Sequence, residues 1–365
     1  MDPLFTFHAN VIRQISDSFT RFLYEKVNWN QRMLALKGPR GAGKTTLMLQ
    51  YIKYGLKLPA NKALYISADH YWFYNHTLFE TAESFYLNGG RHLFIDEVHR
   101  YPQWAREMKN IYDGFPELKI VFSASSALDI FRGEADLSRR VIAYSLPGMS
   151  FREYLMLSKV ADFEFFELSD IVSNHEEIVK NITDQIQPLP YFRNYLKYGY
   201  LPIITESLEG EIPVRLNQVI NAIVESDLAY IEGFDSGTAN KIKKLLGVIA
   251  ESVPFKPNVS ALARKLDISR ESVYAWLNYL EKGRLLNTLK QKGKGVSTLQ
   301  KPDKIYLENT NLAYALKENP DIGSIRLGGQ ALVVTEDALI LGALIMTDEA
   351  DVFDVGGPTD LGGVA

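Results

Sequence analysis

The sequence predicts an α/β protein: a parallel five-stranded sheet, then a helical segment, then a small module of helices and a hairpin. Three observations predict it. Short apolar runs alternate with helical periodicity from residue 31 to 147. Helical periodicity alone fills 148–235, around Tyr154–Leu157, Phe163–Leu168 and Val219–Leu228, with a break at Pro188–Pro190. Two short helices and two extended stretches then occupy 240–308. The expected segments are therefore 1–147, 148–235, 236–308 and 309–365.

At 365 residues the chain is long enough for two or three domains. Apolar residues at 46% and charged residues at 23% are ordinary for a globular protein. A net charge of −4 excludes a global basic signature, so any nucleic-acid contact has to be local. The absence of cysteine excludes disulfides, thiolate metal sites and a cysteine nucleophile, and fits a reducing cytoplasm. Met1-Asp2-Pro3-Leu4 begins no basic-then-apolar leader, and no run approaches the roughly eighteen apolar residues of a membrane span. The expectation is a cytoplasmic protein without a membrane partner. His8, His70, His76, His92, His99 and His175 show no metal-ligand spacing.

In chain order, Val11, Ile12, Ile15, Phe19 and Phe22 recur at helical steps, which predicts a helix packed on the core and carrying no chemistry. Strands are expected at Arg32–Lys37, Ala63–Ser67, His92–Asp96, Ile120–Ala124 and Val141–Leu146, with helices including Thr45–Tyr54 and Trp104–Phe115. Right-handed crossovers place every strand's C-terminal end on one edge, where ligands of open α/β sheets bind.

The first strand runs into Gly38-Pro39-Arg40-Gly41-Ala42-Gly43-Lys44-Thr45-Thr46, which meets the pattern G-x-x-x-x-G-K-[ST]. Glycines let backbone N–H groups curl around phosphate oxygens, and the helix N-terminus adds its partial positive charge there. Lys44 then reaches the β- and γ-phosphates, and Thr45 offers a hydroxyl to Mg²⁺. The stretch points to binding of a nucleoside triphosphate, with ATP and Mg²⁺ as the expected ligands.

The third strand ends Leu93-Phe94-Ile95-Asp96-Glu97, although His92 stands where a fourth apolar residue is more usual. Asp96 is expected in the Mg²⁺ shell and Glu97 is expected to polarise an attacking water. The second carboxylate favours hydrolysis over transfer to a bound hydroxyl. On the fourth strand Ser125 is the favoured γ-phosphate sensor, with Ser123 and Ser126 as alternatives. Arg139 and Arg140, before the fifth strand, are candidates for a guanidinium offered to the γ-phosphate of this subunit or of a neighbour in a homo-oligomer. The aromatic stretch Asp69–His76 reads as packing, with stacking on a base as the alternative.

Together Gly38–Thr46, Leu93–Glu97 and Gly133–Arg140 resemble the AAA-type P-loop ATPases. The segments Val98–Trp104, Leu146–Tyr154 and Lys301–Asn309 resemble a bacterial and archaeal group of these ATPases with a C-terminal, nuclease-like domain of unknown function. The resemblance covers roughly residues 10–325 and implies a P-loop core, a helical lid and a winged helix. It implies the roles already given for Lys44, Thr45, Asp96, Glu97 and the Arg139/Arg140 pair.

Within 240–308, Ser260 or Asn258 can cap one helix and Ser269 the next, whose Val273, Trp276, Leu277 and Leu280 form one apolar stripe. Asp267 sits where glycine is frequent in such a turn. Outward Arg270, Tyr274 and Asn278 can face a DNA groove or phosphates. Lys292 and Lys294 mark the expected hairpin turn. From Ser260 to Ile305 ten Lys/Arg stand against four Asp/Glu, a net of +6 in an acidic protein. Double-stranded DNA is the partner this stripe suggests. After Arg326 there is no Lys or Arg, and the acidic tail lacks the lysine that a nuclease site needs beside Asp351 and Asp354. It reads as a truncated or divergent remnant without nuclease activity.

The expected function is Mg-dependent ATP hydrolysis driving a switch or machine that acts with DNA. The alternatives are a DNA-binding regulator that uses ATP mainly as a ligand, and an ATPase that acts on a protein partner.

Overall fold

In a computed structural model, the structure describes residues 1–124, 137, 139–203, 207, 209–228, 235–251, 258–289, 302 and 304–316. Five parallel strands form one sheet in the order β2-β3-β4-β1-β5: β1 Met33–Lys37, β2 Ala63–Ser67, β3 His92–Asp96, β4 Lys119–Ala124 and β5 Ile142–Ser145. β1 is flanked by β4 and β5, with Leu34 opposite both Val121 and Ile142. Side chains alternate across the sheet, and both faces are covered. Met33, Ala35, Ile66, Ile95 and Phe122 pack on one side with α4 (Leu78–Leu87) and α5 (Trp104–Gly114). Leu34, Leu36, Tyr65, Phe94 and Val121 pack on the other with Leu47 and Met48 of α3 (Lys44–Gln50). This is why the strands read as continuous apolar runs.

The N-terminal helix α1 (Asp2–Arg13) is shorter than the periodicity of Val11 to Phe22 suggests. Residues 14–19 leave the helix, and a four-residue helix α2 (Leu23–Lys26) precedes β1. The side-chain amide of Gln50 donates to the Ser16 and Phe19 carbonyls, at 2.9 and 2.7 Å, and lays this segment along the glycine-rich loop. Competition from these bonds ends the helix where the sequence pattern alone would continue it.

After the sheet come α6 (Phe151–Leu157), α7 (Leu168–Gln185), α8 (Pro188–Tyr198) and α9 (Ile212–Ala222). A capping box of Ser150 and Glu153 opens α6. Pro188 starts α8 at its first turn, where the missing N–H costs nothing. Buried Arg21 ties this region to the sheet: it pairs with Glu153 at 2.8 Å and donates to the carbonyls of Ala42, Pro147 and Gly148.

The last described elements are α10 (Ser236–Glu251), α11 (Val259–Leu266), α12 (Arg270–Lys282), the antiparallel pair β6 (Leu286–Leu289) and β7 (Lys304–Leu307), and α13 (Thr310–Leu316). Asn258 caps α11 and Ser269 caps α12. Asp267 adopts the left-handed conformation (φ 52°) that a glycine would otherwise supply. Val273, Trp276, Leu277 and Leu280 face one core with Leu246, Leu262 and Ile305. Asn311, almost fully buried, accepts from the Tyr200 amide at 2.8 Å and donates to the Tyr195 and Leu196 carbonyls, fastening α13 to α8. Among the described residues no helix is long and apolar enough to cross a membrane.

Candidate active site

The loop from Gly38 to Gly43 joins β1 to α3 at the C-terminal edge of the sheet. A Cβ on Gly38 would run into the Leu146 carbonyl, so only glycine lets β1 pass so close to the end of β5. Gly43 is left-handed (φ 93°) and turns the chain into α3. Lys44 opens that helix, is buried, and donates from Nζ to the Gly38 and Pro39 carbonyls, each at 2.9 Å. Its ammonium therefore lies inside the loop, together with the first N–H groups of α3.

Asp96 ends β3 and gathers three hydroxyl donors. Thr45 donates to its Oδ2 at 2.7 Å, Tyr65 of β2 donates to the same oxygen at 2.9 Å, and Ser123 of β4 donates to Oδ1. Burial, then the Asp96 charge, pushes the Tyr65 phenol well above its ordinary range, so it acts as a neutral donor. Among the described residues no three His, Asp or Glu side chains form a metal cluster.

Glu97 is held in the left-handed region (φ 51°), an unusual place for a glutamate, and its amide donates to Ser123 Oγ at 3.0 Å. Its carboxylate meets two guanidinium groups and an imidazole: Arg40 Nη2 at 3.6 Å, Arg100 Nε at 3.3 Å and His99 Nε2 at 3.6 Å. Arg100 also reaches Asp69 at 2.9 Å. Burial raises the Glu97 carboxyl above its usual value. The Lys44 charge opposes this, Asp96 adds to it, and Arg40 and Arg100 oppose it further.

Of these groups, Arg40, Lys44, Thr45 and Glu97 line a cleft of about 820 Å³. Ile15, Phe19 and Arg215 of α9 line it as well.

The structure brings together Gly38, Pro39, Arg40, Gly41, Ala42, Gly43, Lys44, Thr45 and Thr46 with Asp96 and Glu97. Ser125, the favoured sensor, lies outside the described residues, as do Lys292 and Lys294. Ser123, one of the alternatives, touches Asp96 and Glu97 directly. Arg140 requires a correction as a group for its own chain's phosphates. It pairs with Asp113 at 2.9 Å beyond the N-terminal end of β5, on the opposite sheet edge from the loop. Arg139 beside it is exposed. Arg270 and Asn278 are exposed, Arg270 donating to Ser260, whereas Tyr274 packs half-buried against the module's core. In the aromatic stretch, His76 stacks on Trp72 at 3.7 Å, and residues 70–76 do not line the cleft.

Sequence reasoning missed Tyr65, Arg100, Arg215 and the segment 14–19 as parts of the site. No spacing assigns them a role: tertiary packing brings Tyr65 to Asp96, Arg100 to Glu97, and Arg215 and the 14–19 segment to the cleft.

Residues 30–155 match the protein family described as an AAA domain, and residues 189–322 match a domain of unknown function (DUF8612). An uncharacterized protein of Methanocaldococcus jannaschii is 29% identical over 290 residues, which cover 76% of this chain and 61% of that relative. The chain thus spans about three fifths of that relative's length. Among solved structures, the Walker-type ATPase of Pyrococcus abyssi is similar with a TM-score of 0.45 and 11% identity, over 82% of this chain and 95% of that one. AMPPCP-bound DnaA from Aquifex aeolicus gives a TM-score of 0.28 and 14% identity, over 74% of this chain and 86% of that one. The family match falls on the five-stranded sheet, the glycine-rich loop and the Asp96-Glu97 strand. Over residues 30–155 the chain is therefore similar to the AAA domain family.

Proposed function

We propose that this chain hydrolyses Mg-ATP at the cleft between the glycine-rich loop and β3, and that the bound nucleotide sets the position of a DNA-binding winged helix at residues 236–308. The observation that carries the first part is the 2.7 Å bond from Thr45 to Asp96, with Glu97 next in the chain. The two oxygens form a hard donor pair beside Lys44, which fits the preference of Mg²⁺ for a few carboxylate and hydroxyl oxygens. Thr45 and Asp96 would hold the ion, directly or through water. Bound Mg²⁺ would neutralise charge on the phosphates. Lys44 and the loop amides bind and orient the β- and γ-phosphates, and Glu97 orients the attacking water. Burial raises the Glu97 carboxyl above its ordinary value, the direction that suits a group placed to polarise water.

The second part is supported by three polar connections. Arg21 joins the Ala42 carbonyl of the loop to Glu153 at the start of α6. Asn311 fastens α13 to α8, and Asn217 of α9 donates to the Ala315 carbonyl at 2.9 Å. Arg215, on α9, lines the cleft. A shift of α9 on nucleotide binding is thereby passed to the C-terminal module. Arg270 and Asn278 on the exposed face of α12, with Lys292 and Lys294, are the residues proposed to meet DNA phosphates.

Steady-state hydrolysis with and without duplex DNA tests this reading in wild type, Lys44→Ala, Arg270→Glu and Lys292→Glu/Lys294→Glu. Stimulation by DNA that the two basic-residue variants lose supports it. Hydrolysis that Lys44→Ala abolishes but DNA leaves unchanged moves the search to protein partners.

A further inference from the structure

We infer that Arg40, a residue of the glycine-rich loop itself, is the arginine that stabilises the γ-phosphate of ATP bound to its own chain, exchanging its ion pair with Glu97 for one with the phosphate. The inference rests on the ATPase reading above and adds a catalytic residue to it.

Four observations carry it. Arg40 lies four positions before Lys44, so the backbone that wraps the phosphates also fixes its Cα. Its guanidinium is 3.6 Å from Glu97 Oε2, and both side chains line the cleft that holds Lys44 and Thr45. Glu97 does not depend on Arg40 for its orientation. It keeps Arg100 at 3.3 Å and His99 at 3.6 Å, and Arg100 is itself anchored to Asp69 at 2.9 Å. The arginine nearest the fifth strand, Arg140, is engaged by Asp113 at the far edge of the sheet.

A terminal phosphate offers more negative charge than one carboxylate, and two oxygens in the geometry that a guanidinium grips bidentately. It therefore outcompetes Glu97 for Arg40. One movement then does two things. It brings positive charge to the γ-phosphate, and it frees the place at Glu97 Oε2 that Arg40 occupied to meet the attacking water. In the step itself the water oxygen bonds to the γ-phosphorus while the bond from that phosphorus to the bridging oxygen breaks. The bond's electron pair leaves with ADP, and the water proton passes to Glu97.

The test compares Arg40→Ala, Arg40→Lys and Arg140→Ala with wild type, measuring turnover and the affinity for a fluorescent ATP analogue. Arg40→Ala is expected to lower kcat by about a hundredfold or more while analogue affinity changes less than about tenfold. Added guanidinium is expected to restore part of the Arg40→Ala rate, which a merely structural role would not allow. Wild-type specific activity should be independent of protein concentration, and Arg140→Ala should retain turnover. Arg40→Ala turnover within about threefold of wild type overturns the inference. So does loss of activity in Arg140→Ala that mixing with Lys44→Ala protein restores, since a neighbouring copy then supplies the arginine. Wild type that binds the analogue but does not hydrolyse ATP overturns the ATPase reading instead, and this inference with it. Arg40→Lys keeps the result readable if Arg40→Ala fails to fold: a point charge without the bidentate fork is expected to lower kcat by about tenfold or more, and wild-type turnover in it overturns the inference.

Discussion

The Thr45 hydroxyl donates to Asp96 Oδ2 across 2.7 Å, so the first turn of α3 and the end of β3 meet in one oxygen-lined corner. If that corner takes Mg²⁺, Thr45→Ala and Asp96→Asn should raise the Mg²⁺ concentration needed for half-maximal binding of an ATP analogue by roughly tenfold or more. Analogue binding in EDTA should change little. A Mg²⁺ titration followed by analogue fluorescence checks both expectations.

Arg21 and Glu153 form a buried pair at 2.8 Å that also satisfies the Phe22 and Ser150 amides. Arg21→Met strands a buried carboxylate and should cost about 3–5 kcal/mol of stability. Arg21→Met/Glu153→Leu should recover only part of that loss, because it removes the stranded charge but leaves the Phe22 and Ser150 amides without their acceptor. Chemical unfolding of the wild type and the two variants measures it.

His92 is pushed down to about 4 from an ordinary 6.5, by burial first and then by the Lys119 charge. The unfolded chain therefore binds a proton that the folded chain resists. The stability associated with a neutral His92 is fully present above pH 6.5 and is lost as pH falls from there toward about 4. His92→Leu should flatten the decline between these limits, as read from melting temperature against pH for the two proteins.

Asn311 bridges α13 and α8 through three buried hydrogen bonds to backbone groups of residues 195, 196 and 200. Asn311→Ala should leave basal hydrolysis within about threefold of wild type, because it removes no group from the cleft. It should speed proteolysis between α8 and α13, and abolish any response of turnover to DNA.

The parts of the site that lie on one continuous stretch were legible in the sequence. Gly38–Thr46 and Leu93–Glu97 carry their chemistry in spacing alone, and the strands that present them read as apolar runs because both faces are covered. What was not legible depends on which elements meet. Tyr65 reaches Asp96 only because β2 lies beside β3, and nothing in Ala63–Ser67 marks it as other than a core strand. Ser123 meets Asp96 because of where β4 ends against β3, a matter of register. Residues 14–19 keep helical lettering but are drawn out of the helix by Gln50. Arg140 has the right neighbours in sequence, yet Asp113 holds it beyond the N-terminal end of β5, on the wrong edge for its own chain.

The central claim is that this cleft hydrolyses ATP with Glu97 orienting the water. Its most direct measurement is single-turnover hydrolysis by Glu97→Gln beside its affinity for ATP. Wild-type affinity is expected, with hydrolysis slowed about a hundredfold or more, so that ATP remains bound and uncleaved. Glu97→Gln turning over at the wild-type rate would contradict it.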